Sequence, residues 1–388
     1  MSDILYNKAL INNRSPYLSI VNKPLQELGL LSPPRDDIDI VDTDVVRETN
    51  YNRDELHRFV ETNVPLLVGQ QRRTSYNIIM DRISTQKGGI FFLDAPGGTG
   101  KKTFLINLIL AKVRKNGDIA LAVASSGIAA TLLAGGRTAH SALQLPLDFC
   151  ATDTPICNIK KNSGQATVLK TCKVIIWDEC TMANKKALEA LDRTLQDLRG
   201  QEATMGGALL LLAGDFRQTL PVIPRGTPAD ELNACLKLSY LWRRVQILTL
   251  TTNMRVRLQS DAASQEFSER LLQIGNGTFM NSPGNYSITF PEDFCNLAES
   301  INVVNSVFQD IATNYKNHGW LRERAILAPR NDQVTNLNIS IQDKLPGAVT
   351  TYKSIDTVID PEQAVHYPVE FLNSLEPSGM PSHQLLLK

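Results

Sequence analysis

The chain has 388 residues, 43% of them hydrophobic, and carries 40 basic against 40 acidic side chains. That length predicts two or three domains with sizeable cores. Zero net charge excludes a global field for a polyanion, so any nucleic-acid contact must come from local patches. No apolar run approaches the ~18 residues of a membrane span, and the first residues lack the basic and apolar pattern of a secretory signal. The expectation is an intracellular chain, nuclear or alternatively mitochondrial, with no membrane partner.

Residues 1–64 read as a polar lead-in, broken by Pro16, Pro24, Pro33 and Pro34 and acidic between Asp36 and Asp54. This composition predicts a loosely packed, partly disordered segment. Residues 66–84 read as a helix carrying Gln70, Gln71, Arg72 and Arg73. Apolar strands are then predicted at Ile90–Leu93, Ile119–Ala124, Val174–Trp177, Ala208–Ala213 and Val245–Leu250. Helices are predicted at Phe104–Val113, at Gly127–Leu133, and where Leu188, Leu191, Leu195 and Leu198 share one face. Continuous apolar strands alternating with helices predict an α/β fold with a parallel sheet covered on both faces. A soft Gly/Asn/Ser/Pro-rich stretch follows at 275–300. A strand is predicted at Ala325–Ala328, a helix at Asn331–Gln342 and a strand beginning at Gln384. The six cysteines form no C-x-x-C pair and none lies near a histidine at zinc-ligand spacing, so free thiols are expected.

The most specific chemistry lies in Ala95-Pro96-Gly97-Gly98-Thr99-Gly100-Lys101-Lys102-Thr103, between an apolar strand and an apolar helix. That context is what a phosphate-binding loop needs. Glycine amides can wrap a triphosphate, a lysine supplies charge, and the helix N-terminus adds a partial positive charge. The usual pattern places the Mg2+-binding hydroxyl directly after the lysine. Here Lys102 intervenes, and the hydroxyl comes one residue late, at Thr103. The insertion predicts weaker Mg-ATP binding than an uninterrupted loop would give.

Val174-Ile175-Ile176-Trp177-Asp178-Glu179 is an apolar strand ending in two carboxylates. An acidic pair at a strand end is common on its own. Downstream of a phosphate loop it suits Mg2+ binding at Asp178 and water activation at Glu179. Gln218, in Leu212–Gln218, lies at another strand-to-loop junction, where it could sense a γ-phosphate or simply face solvent. Arg255, in Leu250–Arg255, could stabilise charge on a transferring phosphoryl group or be a surface residue. The segments Val123–Ala130 and Gly135–Ser141 are dense in small and hydroxyl residues. They fit either tight strand-to-helix packing or contact with phosphodiester oxygens.

In order, GQQRR, DAPGGTGK, ASSGIAATLLAGGRTAHSALQLP, IIWDE, LAGDFRQTLPVIP and TTNMR resemble the Pif-family helicases of superfamily 1, the Helitron-like branch in particular. The resemblance covers roughly residues 65–388. It implies a RecA-like P-loop NTPase domain at 65–275, a connecting segment at 276–320, and the start of a second RecA-like domain at 321–388. It further implies an ATP-dependent DNA helicase moving 5′ to 3′ on single-stranded DNA, with ATP as substrate and Mg2+ as cofactor, serving DNA repair, recombination or transposition.

By the same resemblance, Gln71 contacts adenine, and residues Ala95, Pro96, Gly97, Gly98, Thr99, Gly100, Lys101, Lys102 and Thr103 hold the nucleotide. Thr103 and Asp178 hold Mg2+, Glu179 is the general base, Gln218 the γ-phosphate sensor and Arg255 an arginine finger. Ser125, Ser126, Thr138 and His140 fall in the DNA-contacting segment. The second domain's later motifs are not found before Lys388, so a truncated helicase is expected. The alternative is a degenerate P-loop NTPase or nucleotide- and DNA-binding remnant without unwinding activity.

Overall fold

A computed structural model describes residues 43–67, 69–146, 153–223, 226–259, 262–279, 290, 294, 300–357, 368–374 and 383–388; the side chains of residues 101–103, 258, 259, 262, 300–302 and 331 are not described. The chain forms two compact units, Met1–Thr278 and Phe279–Lys388.

The first unit is built on six strands: β1 (Gly89–Asp94), β2 (Ala120–Ala124), β3 (Arg137–Thr138), β4 (Val174–Asp178), β5 (Leu209–Gly214) and β6 (Val245–Thr249). They pair in parallel in the order β3-β2-β4-β5-β1-β6. A parallel sheet buries both faces, and here alternate residues of each inner strand feed opposite cores. Phe91, Leu93, Ala122, Ile176, Leu209 and Leu211 belong to one cluster, and Phe92, Leu121, Val123, Ile175, Trp177 and Leu212 to the other. This explains why the inner strands carry unbroken apolar runs. β6 is an edge strand, and its Ile247 is 58% exposed.

Helices α1 (Thr43–Thr49), α2 (Arg53–Asn63) and α3 (Gln70–Ser84) precede the sheet. Val60 of α2 and Ile79 and Ile83 of α3 join the first core cluster, with α4 (Asn107–Arg114). Within the segment expected to be a loosely packed, partly disordered lead-in, residues 43–63 carry two helices. Asn52 caps α2 by accepting from the amides of Asp54 and Glu55, and Val60 is buried in the same core cluster as residues of α4. Short helices α5 (Gly127–Thr131) and α6 (Ala139–Leu143) flank β3. α7 (Gly164–Thr171) and α8 (Lys185–Arg199) cover the second face, and Leu188, Leu191, Leu195 and Leu198 of α8 are all buried. After α9 (Pro228–Ala234) and β6 come α10 (Met254–Gln259) and α11 (Ala262–Gly275).

The second unit contains α12 (Ser300–Val307), α13 (Ile311–Asn314), α14 (His318–Arg322), α15 (Asn331–Asp343), β7 (Thr350–Lys353), α16 (Val369–Asn373) and β8 (Gln384–Leu387). β7 and β8 form an antiparallel pair. The strand expected at Ala325–Ala328 does not form: no strand of the described residues pairs with it, and Leu327 is 95% exposed. An apolar run becomes a strand only when a neighbour takes its backbone groups. Most of the soft stretch 275–300 lies outside the described residues.

Cys157, Cys172, Cys180 and Cys235 are free thiols, all buried, whereas Cys150 and Cys295 lie outside the described residues. Among the described residues no helix is long and apolar enough to cross a membrane.

Candidate functional site

The carboxyl ends of all six parallel strands lie along one edge of the sheet, where open α/β sheets gather their ligand sites. β1 delivers Asp94 and the loop 95–100; β2 delivers Ser125 and Ser126. β4 ends in Asp178 and Glu179, β5 leads to Asp215 through Gln218, and β6 leads to Thr251 through Arg255.

The loop is held on several sides. Ala95 N donates to Gly214 O at 3.3 Å, and Thr99 Oγ1 donates to Pro96 O at 2.9 Å. Gly98 and Gly100 take left-handed backbone angles, with φ of 84° and 73°. Gly98 is also crowded: a Cβ there would collide with Asn253 Oδ1, so both its conformation and its surroundings demand glycine. The buried Arg72 donates from Nε to Thr99 O at 3.2 Å and from Nη2 to Thr252 O at 3.5 Å. It ties the loop to the segment after β6, and burial holds its guanidinium pKa below the usual value.

The extra residue is absorbed in the backbone. Lys101–Ile106 forms a π-helical turn before α4, in which Gly100 O accepts from both Phe104 N and Leu105 N at 3.3 Å. A single inserted residue in a helix produces this kind of turn, with downstream register preserved. Leu105, Leu108 and Ile109 accordingly keep full burial in the core.

Asp178 is wholly buried at the end of β4. Glu179 follows with φ 49° and ψ 37°, a left-handed conformation that costs a non-glycine residue energy and recurs at functional sites. Gln218 donates from Nε2 to Asp215 Oδ2 at 3.1 Å. Arg217, to which the motif reading gave no role, donates from Nη1 to Asp215 Oδ1 at 2.6 Å. Its guanidinium also spans Asp94, with Nη1 3.2 Å from Oδ1 and Nη2 3.3 Å from Oδ2. The same arginine joins the residue before the phosphate loop to the loop that carries Gln218.

Gly98 O accepts from the amides of Met254 and Arg255 at 2.8 and 3.1 Å. Asn253, also unassigned by sequence, accepts from Arg255 N and Val256 N and donates to Ser268 Oγ at 2.8 Å. The Arg255 segment is thus docked on the loop's backbone. Gln71 Oε1 accepts from Thr251 N and Thr251 Oγ1 at 3.0 and 3.1 Å. A cavity of about 440 Å3 opens here, with Pro96, Gly97, Thr99, Gln218 and Arg255 in its wall. Asp178 and Glu179 are not in that wall.

At the other end of the edge, Ser125 Oγ accepts from Trp177 Nε1 at 3.0 Å, and Ser125 N donates to Asp178 O. Ser126 caps α5 by accepting from Ala129 N, and Thr138 caps α6 by accepting from Ser141 N. His140 is exposed. The three hydroxyls act locally as acceptors, and each keeps a proton to donate to another group. These bonds are those of tight local packing, and they leave the hydroxyl protons available.

The sequence pattern that defines PIF1-like helicases matches residues 67–284. The chain belongs to that family. It is similar to ATP-dependent DNA helicase PIF1 of Candida albicans, 27% identical over 282 residues that make up 71% of this chain and 28% of the relative. It is also similar to ATP-dependent DNA helicase RRM3 of Saccharomyces cerevisiae, 24% identical over 83% of this chain and 40% of the relative. The chain thus spans well under half of these relatives' length. In fold it matches a Pif1 helicase from Bacteroides, crystallised with ADP-AlF3 and single-stranded DNA, with a TM-score of 0.52. That match covers 81% of this chain and 63% of the other at 19% identity.

Proposed function

We propose that this chain supplies the ATP-hydrolysing core of a DNA helicase that moves 5′ to 3′ on single-stranded DNA. The observation that carries the reading is the junction at Gly98, where the phosphate loop accepts the Arg255 amide directly. The backbone of Arg255 is thereby fixed to the loop. Positioned charge of this kind is most of what phosphoryl transfer requires.

In this reading Lys101 and the amides of residues 97–100 bind the triphosphate, and Gln71 reads the base. Gln218 turns from Asp215 to the γ-phosphate, and Arg255 stabilises charge on the transferring group. Glu179 takes the proton of the attacking water. Asp178 and Thr103 are oxygen donors of the kind Mg2+ prefers, and the buried Asp178 lies one strand from β5, itself next to β1. When bound there, Mg2+ would neutralise phosphate charge. Ser125, Ser126, Thr138 and His140 contact the DNA backbone.

The names of the relatives and the nucleotide and single strand bound by the Bacteroides protein support this reading. The test is strand displacement on duplexes with a 5′ or a 3′ single-stranded tail. ATP-dependent displacement of the 5′-tailed duplex alone is expected. Displacement from the 3′ tail, or none by a protein containing this chain, would contradict the reading.

A further inference from the structure

Arg137 stands between Gly136 and Thr138, in the segment to which the proposed function gives DNA contacts, and would be an obvious phosphate ligand. The structure commits it elsewhere. Its Nη2 lies 3.3 Å from Oε1 of Glu48 in α1, and Glu48 is 1% exposed. The same Nη2 is 3.5 Å from Gln165 Oε1 at the start of α7, and Gln165 Nε2 donates to Ala142 O in α6 at 2.5 Å. A chain of polar contacts thus runs α1–β3–α7–α6, the elements that carry Thr138 and His140.

A second set of contacts comes from Tyr51, two residues past the end of α1. Tyr51 packs its ring under the Arg114 guanidinium, 4.4 Å from the ring centre, and Arg114 donates to Ala134 O at 2.6 Å. The Tyr51 hydroxyl lies so close to Gly135 that a Cβ there would have to displace it. The acidic segment therefore grips the turn 134–137 from two sides.

Stability alone is a poor reason for such a pair. Burying an ion pair costs about as much desolvation as the attraction returns, and register is the better-attested use of one. Here Glu48 Oε2 and Arg137 Nε have no hydrogen-bond partner among the described residues, which raises the cost further.

We propose that Glu48 is a positioning residue for the nucleic-acid segment: through Arg137 and Gln165 it fixes the two-residue strand β3 and the short helix α6, so that Thr138 and His140 are presented to single-stranded DNA. The inference rests on the proposed function. Arg137 itself then gives no charge to a phosphate.

The experiment measures binding of a fluorescent single-stranded oligonucleotide against salt, and of a fluorescent ATP analogue, for wild type, Glu48→Gln, Arg137→Gln, the double variant and Gln165→Ala. Each single variant is expected to weaken DNA binding about five- to tenfold, the low end of the usual range for coupled sites. The double variant should be no worse than the worse single one, nucleotide affinity should hold, and the salt slope should not change. Gln165→Ala breaks the same chain without stranding a buried charge, so it reads out even where Glu48→Gln folds poorly. If Glu48→Gln leaves DNA binding unchanged or strengthens it, the inference fails. It also fails if Arg137→Gln alone lowers the slope by about 0.7, the mark of one lost phosphate contact. A parallel fall in nucleotide affinity, meaning general destabilisation, would overturn it too. No oligonucleotide binding by wild type would instead overturn the proposed function, and the inference with it.

Discussion

Leu105 donates its amide to Gly100 O, five residues earlier, and this one bond shows how the phosphate loop tolerates Lys102. The turn widens, the loop before it keeps its glycine conformations, and the helix after it stays seated in the core.

Deleting Lys102 should therefore change nucleotide affinity by less than about threefold, because the extra residue is confined to one widened turn. Titration of both forms with a fluorescent ATP analogue checks this. A tenfold or larger gain on deletion, from an equilibrium constant shift of about 1.4 kcal/mol, would mean that the turn displaces the lysine from its phosphate.

Arg217 joins Asp94 and Asp215, and hydrogen bonds of charged groups contribute about 1.5–3 kcal/mol each to stability. Arg217 and Asp94 are partly exposed, although Asp215 is buried, so the lower part of that range is expected for Arg217→Gln. Asp94→Asn should cost less, since Arg217 keeps Asp215. Urea denaturation of the two single variants and the double one gives the coupling; strictly additive losses would show that the pair does not act as a unit.

Cys157 offers a pH test of the packing. Burial pushes its thiol up to about 11, against an ordinary 9.0. The folded state holds this proton more tightly than the unfolded state, so the contribution is complete below pH 9 and is lost as pH rises towards 11. Stability of the wild type should fall more steeply over that window than stability of Cys157→Ala. Parallel curves would show that the thiol is not buried as described.

The sheet was largely legible in the sequence. β1, β2, β4 and β5 are buried on both faces and so are written as unbroken apolar runs between glycines and polar residues. The same rule misleads at Ala325–Ala328, because an apolar run says nothing about whether a partner strand is present. β3 is only two residues long and leaves no pattern. In the site, the motif residues stood out by type and spacing. Arg72, Arg217 and Asn253 did not, because their roles are partnerships across 27, 123 and 15 residues, and composition carries no trace of who meets whom. The helices of the lead-in were hidden by their acidic, proline-flanked surroundings, although Asn52 before Asp54 and Glu55 is a capping signal.

The DNA segment should bind mainly through hydrogen bonds and a few ion pairs, since the chain has no net charge. A slope of log K against log salt corresponding to about two to four phosphates is expected, at about −0.7 per phosphate for single strands. Thr138→Ala with His140→Ala should weaken binding. A slope near zero, or no effect of the double substitution, would remove segment 125–141 from the interface.

The central claim, that one edge of this sheet couples ATP hydrolysis to single-stranded DNA, is tested most directly by phosphate release with and without an oligonucleotide. The wild type should hydrolyse Mg-ATP faster when single strands are added. Glu179→Gln should reduce that stimulated rate by about 10²–10⁴-fold, the usual contribution of a general base, while still binding nucleotide. A rate indifferent to DNA, or a Glu179→Gln rate within about threefold of wild type on the same scale, would contradict the account.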